Sequence, residues 1–288
     1  MREIQLNDGI SMPMLGFGTS ELPQNEVSSV VRNAIECGYR LIDTAAGYDN
    51  EQMVGEGIRQ SSIARSELFI TTKLKFWWHG YEDAMRECKD SLKRLGLDYV
   101  DLYLIHWPVE RNDEAWHAME ALQKDGLVRS IGVCNHHTQH LDALFDYGEV
   151  RPVINQVEIS PRLQQAALRE ECAKRNIVAQ AWSPLMAGEA FAIPQLQTIA
   201  DKHGITVSQV VLGWLLSNDV SVIARTRNPK HMQENLDAFS YVPDAEDAAL
   251  IASLETGRRI GPHPDTFPQV VLPHINNLRQ KEIETSCE

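Results

Sequence analysis

The chain has 288 residues, 43% hydrophobic and 23% charged, which is ordinary for a globular protein large enough to bury a core without disulfides. Its formal charge of −13 at pH 7 disfavours nucleic acid and anionic membranes as partners. The five cysteines show no C-x-x-C spacing, which argues against a zinc site and favours reduced thiols in a cytoplasmic protein.

The amino-terminal segment MREIQLNDG has no apolar stretch of the signal-peptide kind, and no run approaches the length of a membrane span. We therefore expect a cytoplasmic protein that does not bind membranes. The first predicted element is a β-hairpin in which REIQL and ISMPM flank the turn NDG.

Short apolar runs that alternate with stretches of helical periodicity make up most of the remaining chain. The predicted strands are 14–18, 39–43, 68–73, 99–107, 128–135, 152–158, 177–183 and 220–225. The predicted helices are 24–37, 81–94, 114–125, 138–147, 164–175, 194–203, 206–217, 229–239 and 244–254. This alternation is typical of a parallel sheet covered by helices.

Helix-capping residues mark three of these helix starts. Thr206 and Gln209 have the spacing of a capping box, Asn228 precedes Pro229, and Asp244 opens the final predicted helix. Capping chemistry also accounts for Asp49 or Asn50 as the N-cap of a helix that starts at Glu51. It does not account for the neighbouring tyrosine.

A closed (β/α)8 barrel is the favoured fold, with 1–288 as a single domain, the barrel at about 14–240, and a carboxy-terminal helix and tail at 241–288. The alternative is an open doubly wound sheet. That fold should carry G-x-G-x-x-G after an early strand, and GFGTSE lacks the final glycine.

Polar residues follow three neighbouring strands at the barrel end where active sites form. The second strand ends at Asp43, the third at Lys73 and the fourth at His106, and Tyr48 lies on the loop after the second. Each alone has an ordinary structural explanation. Their convergence favours a catalytic site, because a buried lysine–aspartate pair is costly unless it is hydrogen-bonded and used.

These four residues suit carbonyl reduction. Lys73, held by Asp43, is expected to lower the pKa of the Tyr48 phenol by stabilising its anion. His106 can hydrogen-bond the substrate oxygen while Tyr48 donates a proton to it. The hydride must come from a cofactor, because no side chain supplies one.

The segments MPMLGFGT, GYRLIDTAAGYDNE, FITTKL, DYVDLYLIHWP, GVCN, NQVE and AWSPL lie in this order, and together resemble the aldo-keto reductase superfamily over residues 4–270. The short loops resemble its bacterial 2,5-diketo-D-gluconate reductase branch, which also acts on small aldehydes such as methylglyoxal. The resemblance implies a barrel that binds NADPH without a Rossmann domain. It also implies a catalytic tetrad of Asp43, Tyr48, Lys73 and His106, with Tyr48 as the general acid.

The resemblance further implies cofactor contacts. Asn135 matches the residue that binds the nicotinamide carboxamide, Gln156 matches its partner, and Cys134 replaces the usual serine. Trp182 matches the ring that stacks on the nicotinamide, with packing at the barrel rim as the alternative. The other implied contacts are Gly18, Thr19, Asp43, Ser183 and Leu185, and, at the adenine, Glu234 and Asn235.

The segment IARTRNPKHMQEN departs from the family pattern where the 2′-phosphate would bind. Arg225 replaces the usual lysine and Thr226 the usual serine, and both can hold a phosphate. His231 replaces an arginine, so a bidentate contact is absent or weakened, although Arg227 and Lys230 lie nearby. NADPH remains the expected cofactor, and NADH use stays open.

Aromatic residues after the third and fourth strands are expected to form the walls of a substrate pocket. Trp77 and Trp107, with Tyr48 and His106, are the predicted substrate contacts, and structural packing is the alternative for Trp77 and Trp78. Arg258 and Arg259 could bind a substrate carboxylate or form a solvated pair.

No metal is expected. The segment NHH at 135–137 contains imidazoles, but a barrel metallohydrolase would carry His-x-His at the end of the first strand, which MLGFGTS lacks. The favoured function is a monomeric NADPH-dependent reductase of small carbonyl compounds, including keto-sugar acids. The alternatives are an NADH-linked dehydrogenase and a slow nucleotide-binding redox-sensor subunit. The tail 271–288 is longer than the short-loop branch needs.

Overall fold

The computed structural model describes residues 2–271 together with residues 274, 278 and 279. Apart from 271 and those three positions, the predicted tail 271–288 lies outside the described residues. The amino-terminal hairpin is confirmed: strands β1 (Glu3–Gln5) and β2 (Ser11–Pro13) pair antiparallel, with Ile4 opposite Met12.

Eight parallel strands close into a barrel, which confirms the predicted (β/α)8 fold. The strands are β3 (Leu15–Gly18), β4 (Leu41–Asp43), β5 (Phe69–Leu74), β6 (Val100–Ile105), β7 (Val128–Cys134), β8 (Ile154–Glu158), β9 (Val178–Trp182) and β10 (Ser221–Ala224). The barrel closes between its last and first strands, where Val222 lies opposite Leu15.

Helices cover the outside of the barrel. They are α1 (Val27–Cys37), α2 (Glu51–Gln60), α3 (Tyr81–Leu95), α4 (Asn112–Lys124), α5 (Thr138–Tyr147), α6 (Ala166–Lys174), α7 (Pro194–His203), α8 (Val207–Ser217), α9 (Pro229–Leu236) and α10 (Ala245–Ala252). As predicted, two helices, α7 and α8, lie between β9 and β10.

The extent of α2 was not predicted, and its segment EQMVGEGIRQ contains two glycines, which disfavour a helix. The structure shows why glycine occurs there. A Cβ added at Gly55 would lie 2.0 Å from the carbonyl oxygen of Leu95, and one at Gly57 would lie 2.6 Å from that of Ser28. The two glycines therefore let α2 pack closely against α3 and α1.

The predicted capping residues behave as expected at three helices. Thr206 Oγ1 accepts a hydrogen bond from the backbone N–H of Gln209 at 3.2 Å, and the Gln209 side chain accepts one from the Thr206 N–H at 2.9 Å. Asn228 and Asp244 each accept a hydrogen bond from a first-turn N–H at 2.9 Å. The capping box at α8 is confirmed.

Asn50 occupies the N-cap position of α2, but its side chain does not cap the helix. It donates to the carbonyl oxygen of Thr19 at 2.8 Å and accepts from the hydroxyl of Thr44 at 3.0 Å. Its role is to tie together the loops after β3 and β4, which carry residues of the candidate site. Of the two predicted N-cap residues, Asp49 and Asn50, it is therefore Asn50 that holds the position, although no side chain caps the helix.

The amino-terminal hairpin closes one end of the barrel. Leu6 and Met12 are buried against inward-facing strand residues such as Leu41, Phe69 and Leu102. The opposite end, where the strands finish, therefore holds the open face of the barrel. Within the described part of the chain, no helix combines the length and apolarity needed to cross a membrane.

Candidate active site

Lys73 and Asp43 form a buried ion pair at the ends of neighbouring strands. Lys73 Nζ donates to Asp43 Oδ1 at 2.5 Å and to the carbonyl oxygen of Thr44 at 2.9 Å. Burial alone would lower the pKa of the Lys73 ammonium, but the Asp43 carboxylate outweighs it and the pKa is raised. Lys73 is therefore a fixed cation.

The second oxygen of Asp43 is held from across the barrel. Gln156 Nε2 donates to Asp43 Oδ2 at 2.8 Å and to Gln180 Oε1 at 2.7 Å, and Gln180 Nε2 donates to Ser221 Oγ at 2.9 Å. This chain of side chains on β4, β8, β9 and β10 fixes the carboxylate. Gln180 was not predicted, although a glutamine within the apolar run IVAQAWS was a usable signal.

Tyr48 lies on the short 3₁₀ turn Ala46–Tyr48 that follows β4, and its hydroxyl oxygen is 3.4 Å from Lys73 Nζ. Burial raises the pKa of the Tyr48 phenol, and the opposing effect of Lys73 does not reverse this. The predicted lowering of this pKa by Lys73 is therefore present, but burial outweighs it. Tyr48 is protonated at neutral pH, as a proton donor must be.

His106 follows β6, and its ring meets the Tyr48 ring edge-on with centroids 5.6 Å apart. Burial lowers the pKa of His106 well below its ordinary value, and the Lys73 charge acts in the same direction. The imidazole is consequently neutral at physiological pH. It can hydrogen-bond a substrate oxygen without adding charge.

A cavity of about 1130 Å³ extends from Tyr48 across the open face of the barrel, and we call it the central cavity. Most of the predicted site residues line it: Gly18, Asp43, Tyr48, His106, Trp107, Asn135, Gln156, Trp182, Ser183, Leu185, Arg225, Thr226, His231, Glu234 and Asn235. Lys73 lies behind this wall, fully buried.

Two predicted cofactor contacts do not line the central cavity, because both are buried in the barrel wall. Thr19 donates its hydroxyl to the carbonyl oxygen of Asp43 at 3.1 Å. The Cys134 thiol lies 3.9 Å from Gln156 Oε1, and burial raises its pKa. Both residues therefore support neighbours that do face the cavity.

Of the predicted aromatic walls, the structure brings only Trp107 to the central cavity. Trp107 stacks on Phe267 with ring centroids 4.1 Å apart. Trp77 packs edge-on against Phe76 and accepts a hydrogen bond at its carbonyl oxygen from Arg279. Trp77 does not line the cavity, so its predicted substrate contact is not supported and the packing alternative accounts for it.

Asn135 and Trp182 are joined beside the tetrad. Trp182 Nε1 donates to Asn135 Oδ1 at 2.9 Å, and Asn135 Nδ2 donates to the carbonyl oxygen of His106 at 3.0 Å. The Trp182 ring also lies against Gly261, where an added Cβ would come within 2.4 Å of the indole. Trp182 is thus fixed between β7 and the segment after α10.

The far end of the cavity carries an ion pair that the sequence analysis missed. Arg225 Nη1 donates to the carbonyl oxygen of Ser20 at 2.6 Å and lies 3.1 Å from a carboxylate oxygen of Glu21, which also lines the cavity. His231 is exposed beside them. The two residues of the pair are far apart in sequence, so no local pattern indicated it.

Arg258 and Arg259 do not line the central cavity. Arg258 Nη2 pairs with Glu189 Oε1 at 2.8 Å, and Arg259 Nη2 lies 3.1 Å from His137 Nε2. The first contact joins the turn Met186–Ala192 to the segment after α10. Both arginines therefore have partners within the chain, and Arg258 is exposed to solvent.

Comparison with known proteins agrees with this geometry. Residues 14–256 match the Aldo/keto reductase family. Methylglyoxal reductase DkgA of Escherichia coli (strain K12) is 44% identical over 269 residues, which cover 92% of this chain and 97% of the relative. Glyoxal reductase of Bacillus subtilis (strain 168) is 44% identical over 264 residues, with 91% and 96% covered.

The fold also matches solved structures. A Bombyx mori aldo-keto reductase in complex with NADP is 33% identical, with a TM-score of 0.86 over 92% of this chain and 96% of the other. Both the sequence and the fold of this chain thus match those of the proteins named above over almost its whole length. The protein is a member of the Aldo/keto reductase family, and so an NAD(P)H-dependent oxidoreductase.

Proposed function

We propose that the protein reduces an aldehyde or ketone, in small dicarbonyls or keto-sugar acids, to the alcohol with NADPH. The observation that supports this best is the Tyr48 hydroxyl, which is protonated, borders the central cavity and lies 3.4 Å from the Lys73 ammonium. A proton donor next to a fixed cation suits a carbonyl oxygen that gains negative charge.

The donor set of the central cavity fits an extended nicotinamide dinucleotide. Trp182 offers an aromatic face and Asn135 an amide beside the tetrad, while Arg225 and Thr226 offer phosphate ligands at the far end. Asn235, with Glu234, would bind the adenine amine. When bound, the nicotinamide supplies the hydride that no side chain can provide.

The proton transfer follows from the positions of the tetrad. Tyr48 gives its hydroxyl proton to the substrate oxygen, and the Lys73 ammonium stabilises the resulting phenolate. Asp43 holds Lys73 in place, and neutral His106 hydrogen-bonds the same substrate oxygen. The phenolate then takes up a proton from solvent, which restores the starting state.

The substrate class is proposed from the cavity wall and the relatives. Tyr48, Trp107 and Trp182 enclose a small aromatic-walled space around His106. The similar proteins named above are reductases of methylglyoxal and of glyoxal. We propose a single-domain monomer, because one chain supplies the whole cavity, and a cytoplasmic location, because the four cysteines within the described residues are free thiols.

NADH is a second candidate cofactor. Arg225 is held by Glu21, and His231 replaces the arginine expected at the phosphate. Both features weaken binding of a 2′-phosphate, which only NADPH carries. The redox-sensor alternative has no comparable contact in its favour among the described residues.

The test follows the absorbance of the reduced nicotinamide with either NADPH or NADH and methylglyoxal or 2,5-diketogluconate. We expect faster oxidation of NADPH. Faster oxidation of NADH would show that the Glu21–Arg225 pair and His231 set the preference. Binding of nucleotide without turnover of either substrate would contradict the reductase proposal and favour the sensor.

A further inference from the structure

Outside the tetrad, two imidazoles and a carboxylate lie close together where the segment after α10 packs beside the start of α5. We call His137, His263 and Asp265 the histidine cluster. Their ligand atoms all lie within 4.8 Å of one another. His137 precedes α5, whereas the other two residues belong to the segment after α10.

The spacing within the cluster suits a tetrahedral metal ion. His137 Nδ1 lies 2.8 Å from Asp265 Oδ1, and His263 Nδ1 lies 3.9 Å from Asp265 Oδ2. His140 Nε2 approaches the same carboxylate at 3.7 Å. Ligands of a tetrahedral zinc ion are about 3.3 Å apart, given zinc–nitrogen bonds of about 2.0 Å. The observed separations span this value.

We propose that the histidine cluster binds a divalent transition-metal ion such as Zn²⁺ or Co²⁺. Imidazole ligands select these ions over Mg²⁺ and Ca²⁺, which prefer oxygen. Gln139 Nε2 donates to Asp265 Oδ1 at 2.8 Å and so orients the carboxylate from a second sphere. The site is separate from the tetrad and departs from the expectation of no metal, which weighed the segment NHH at 135–137 only against the His-x-His pattern of a barrel metallohydrolase.

Arg259 is the group that opposes metal binding. Its Nη2 donates to His137 Nε2 at 3.1 Å, which places the imidazole proton on Nδ1, facing Asp265. A metal ion on Nδ1 requires that proton to move to Nε2. Arg259 must then leave His137, and its charge also repels the incoming cation.

A second cluster provides a matched contrast. His203, Asp244 and Asp247 also converge, but Lys202 Nζ already lies 2.8 Å from Asp244 and 2.9 Å from Asp247. The ammonium occupies the position that a cation would take. We therefore expect this second cluster to bind no metal.

A metal ion in the histidine cluster would fasten one wall of the central cavity. Ile260, Gly261 and Pro262 line that cavity just before His263, and Phe267 stacks on Trp107 just after Asp265. The segment is therefore held on both sides of the proposed ligands. Metal binding should restrict its movement and protect it from proteolysis.

The test is a titration of the metal-free full-length protein with Co²⁺, followed by visible absorbance. We expect the intense d–d bands of a tetrahedral ion without a thiolate charge-transfer band, and displacement by Zn²⁺. His263→Ala and Asp265→Asn should weaken Co²⁺ binding by more than about tenfold, which is the scale that loss of even an outer-sphere partner reaches. Arg259→Gln should tighten it, and His203→Ala should leave it unchanged.

Thermal unfolding without metal checks that every variant is folded, since the exchanged side chains are exposed or half-buried. Limited proteolysis of the segment after α10 should slow on addition of Zn²⁺ in the unaltered chain and not in His263→Ala. The proposal is overturned if the unaltered protein shows no tetrahedral spectrum, if His263→Ala and Asp265→Asn bind as tightly as it does, or if Arg259→Gln weakens binding.

Discussion

Lys73 Nζ lies 2.5 Å from Asp43 Oδ1, and both side chains are almost fully buried, with 0% and 4% of their surface exposed. Such a pair exists because β4 and β5 are adjacent parallel strands, which bring Asp43, the last residue of β4, close to Lys73, the penultimate residue of β5. Its desolvation is costly, and hydrogen bonds from Lys73 to the Thr44 carbonyl oxygen and from Gln156 to the second Asp43 oxygen compensate for this cost.

Lys73→Met should destabilise the protein by about 3–5 kcal/mol, because it leaves the Asp43 carboxylate buried without its cation. The reduction rate should fall by about 100-fold or more, because nothing then stabilises the Tyr48 phenolate. Urea unfolding and steady-state kinetics measure the two effects. Lys89→Met, at an exposed position of α3, should change neither. A stable Lys73→Met enzyme with unaltered rate would contradict the assigned role of the pair.

Glu21→Gln should improve the use of NADPH. The substitution releases Arg225 from its ion pair and removes a negative charge from the end of the cavity proposed for the phosphate. Because the pair is solvent-exposed, we expect the KM for NADPH to fall by only about two- to fivefold, with the KM for NADH unchanged. Glu170→Gln is the control, since Glu170 pairs with Lys174 on α6 and neither residue lines the central cavity. An equal change for both nucleotides would contradict this interpretation of Arg225.

Stability should fall as pH drops below about 6.5, the ordinary pKa of histidine. His136 is fully buried; its Nδ1 faces the Cys134 carbonyl oxygen at 2.8 Å and its Nε2 faces the Asn112 amide at 3.1 Å. Burial lowers the pKa of His136 to about 3. Between those pH values only the unfolded chain binds the proton. One such histidine therefore lowers the free energy of unfolding by roughly 1.4 kcal/mol for each unit by which the pH falls.

Urea unfolding at pH 7 and pH 5 measures this slope. His136→Asn should reduce it, whereas His117→Asn, at an exposed histidine on α4, should not. Equal slopes in His136→Asn and the unaltered protein would show that His136 does not carry the effect.

Gly55→Ala should destabilise the protein, although alanine usually favours a helix by about 0.5–1 kcal/mol. The added Cβ would lie 2.0 Å from the Leu95 carbonyl oxygen, which belongs to backbone and cannot move alone. We expect a net loss of about 1–3 kcal/mol in the free energy of unfolding. Gly47→Ala, where the Cβ meets no atom within 4 Å, should stay close to the unaltered stability. A stabilised Gly55→Ala protein would contradict the packing of α2 on α3.

The barrel and the tetrad could be predicted from the sequence because both depend on the order of short segments along the chain. Each strand is a short apolar run, and the barrel brings Asp43, Lys73 and His106 together because each lies at or next to the carboxy-terminal end of its strand. The extent of α2 escaped prediction because the need for Gly55 comes from Leu95, which is distant in the chain.

Contacts between residues far apart in the sequence, and the depth at which side chains are buried, explain the other differences between the predictions and the structure. The pKa of Tyr48 depends on how deeply the phenol is buried, and this burial outweighs the lowering by Lys73 that the sequence predicted. Trp77 and Trp107 each follow a strand, but Trp107 lines the central cavity, whereas Trp77 packs edge-on against Phe76. The Glu21–Arg225 pair joins loops that only the closure of the barrel brings together.

The most direct measurement of the central claim is single-turnover reduction by Tyr48→Phe. The substitution removes the hydroxyl and leaves the ring, so binding of NADPH measured by fluorescence quenching should be nearly unchanged. We predict that carbonyl reduction is lost, while Tyr81→Phe, at an exposed tyrosine, keeps the full rate. A Tyr48→Phe enzyme that retains most of its single-turnover rate would show that another group donates the proton.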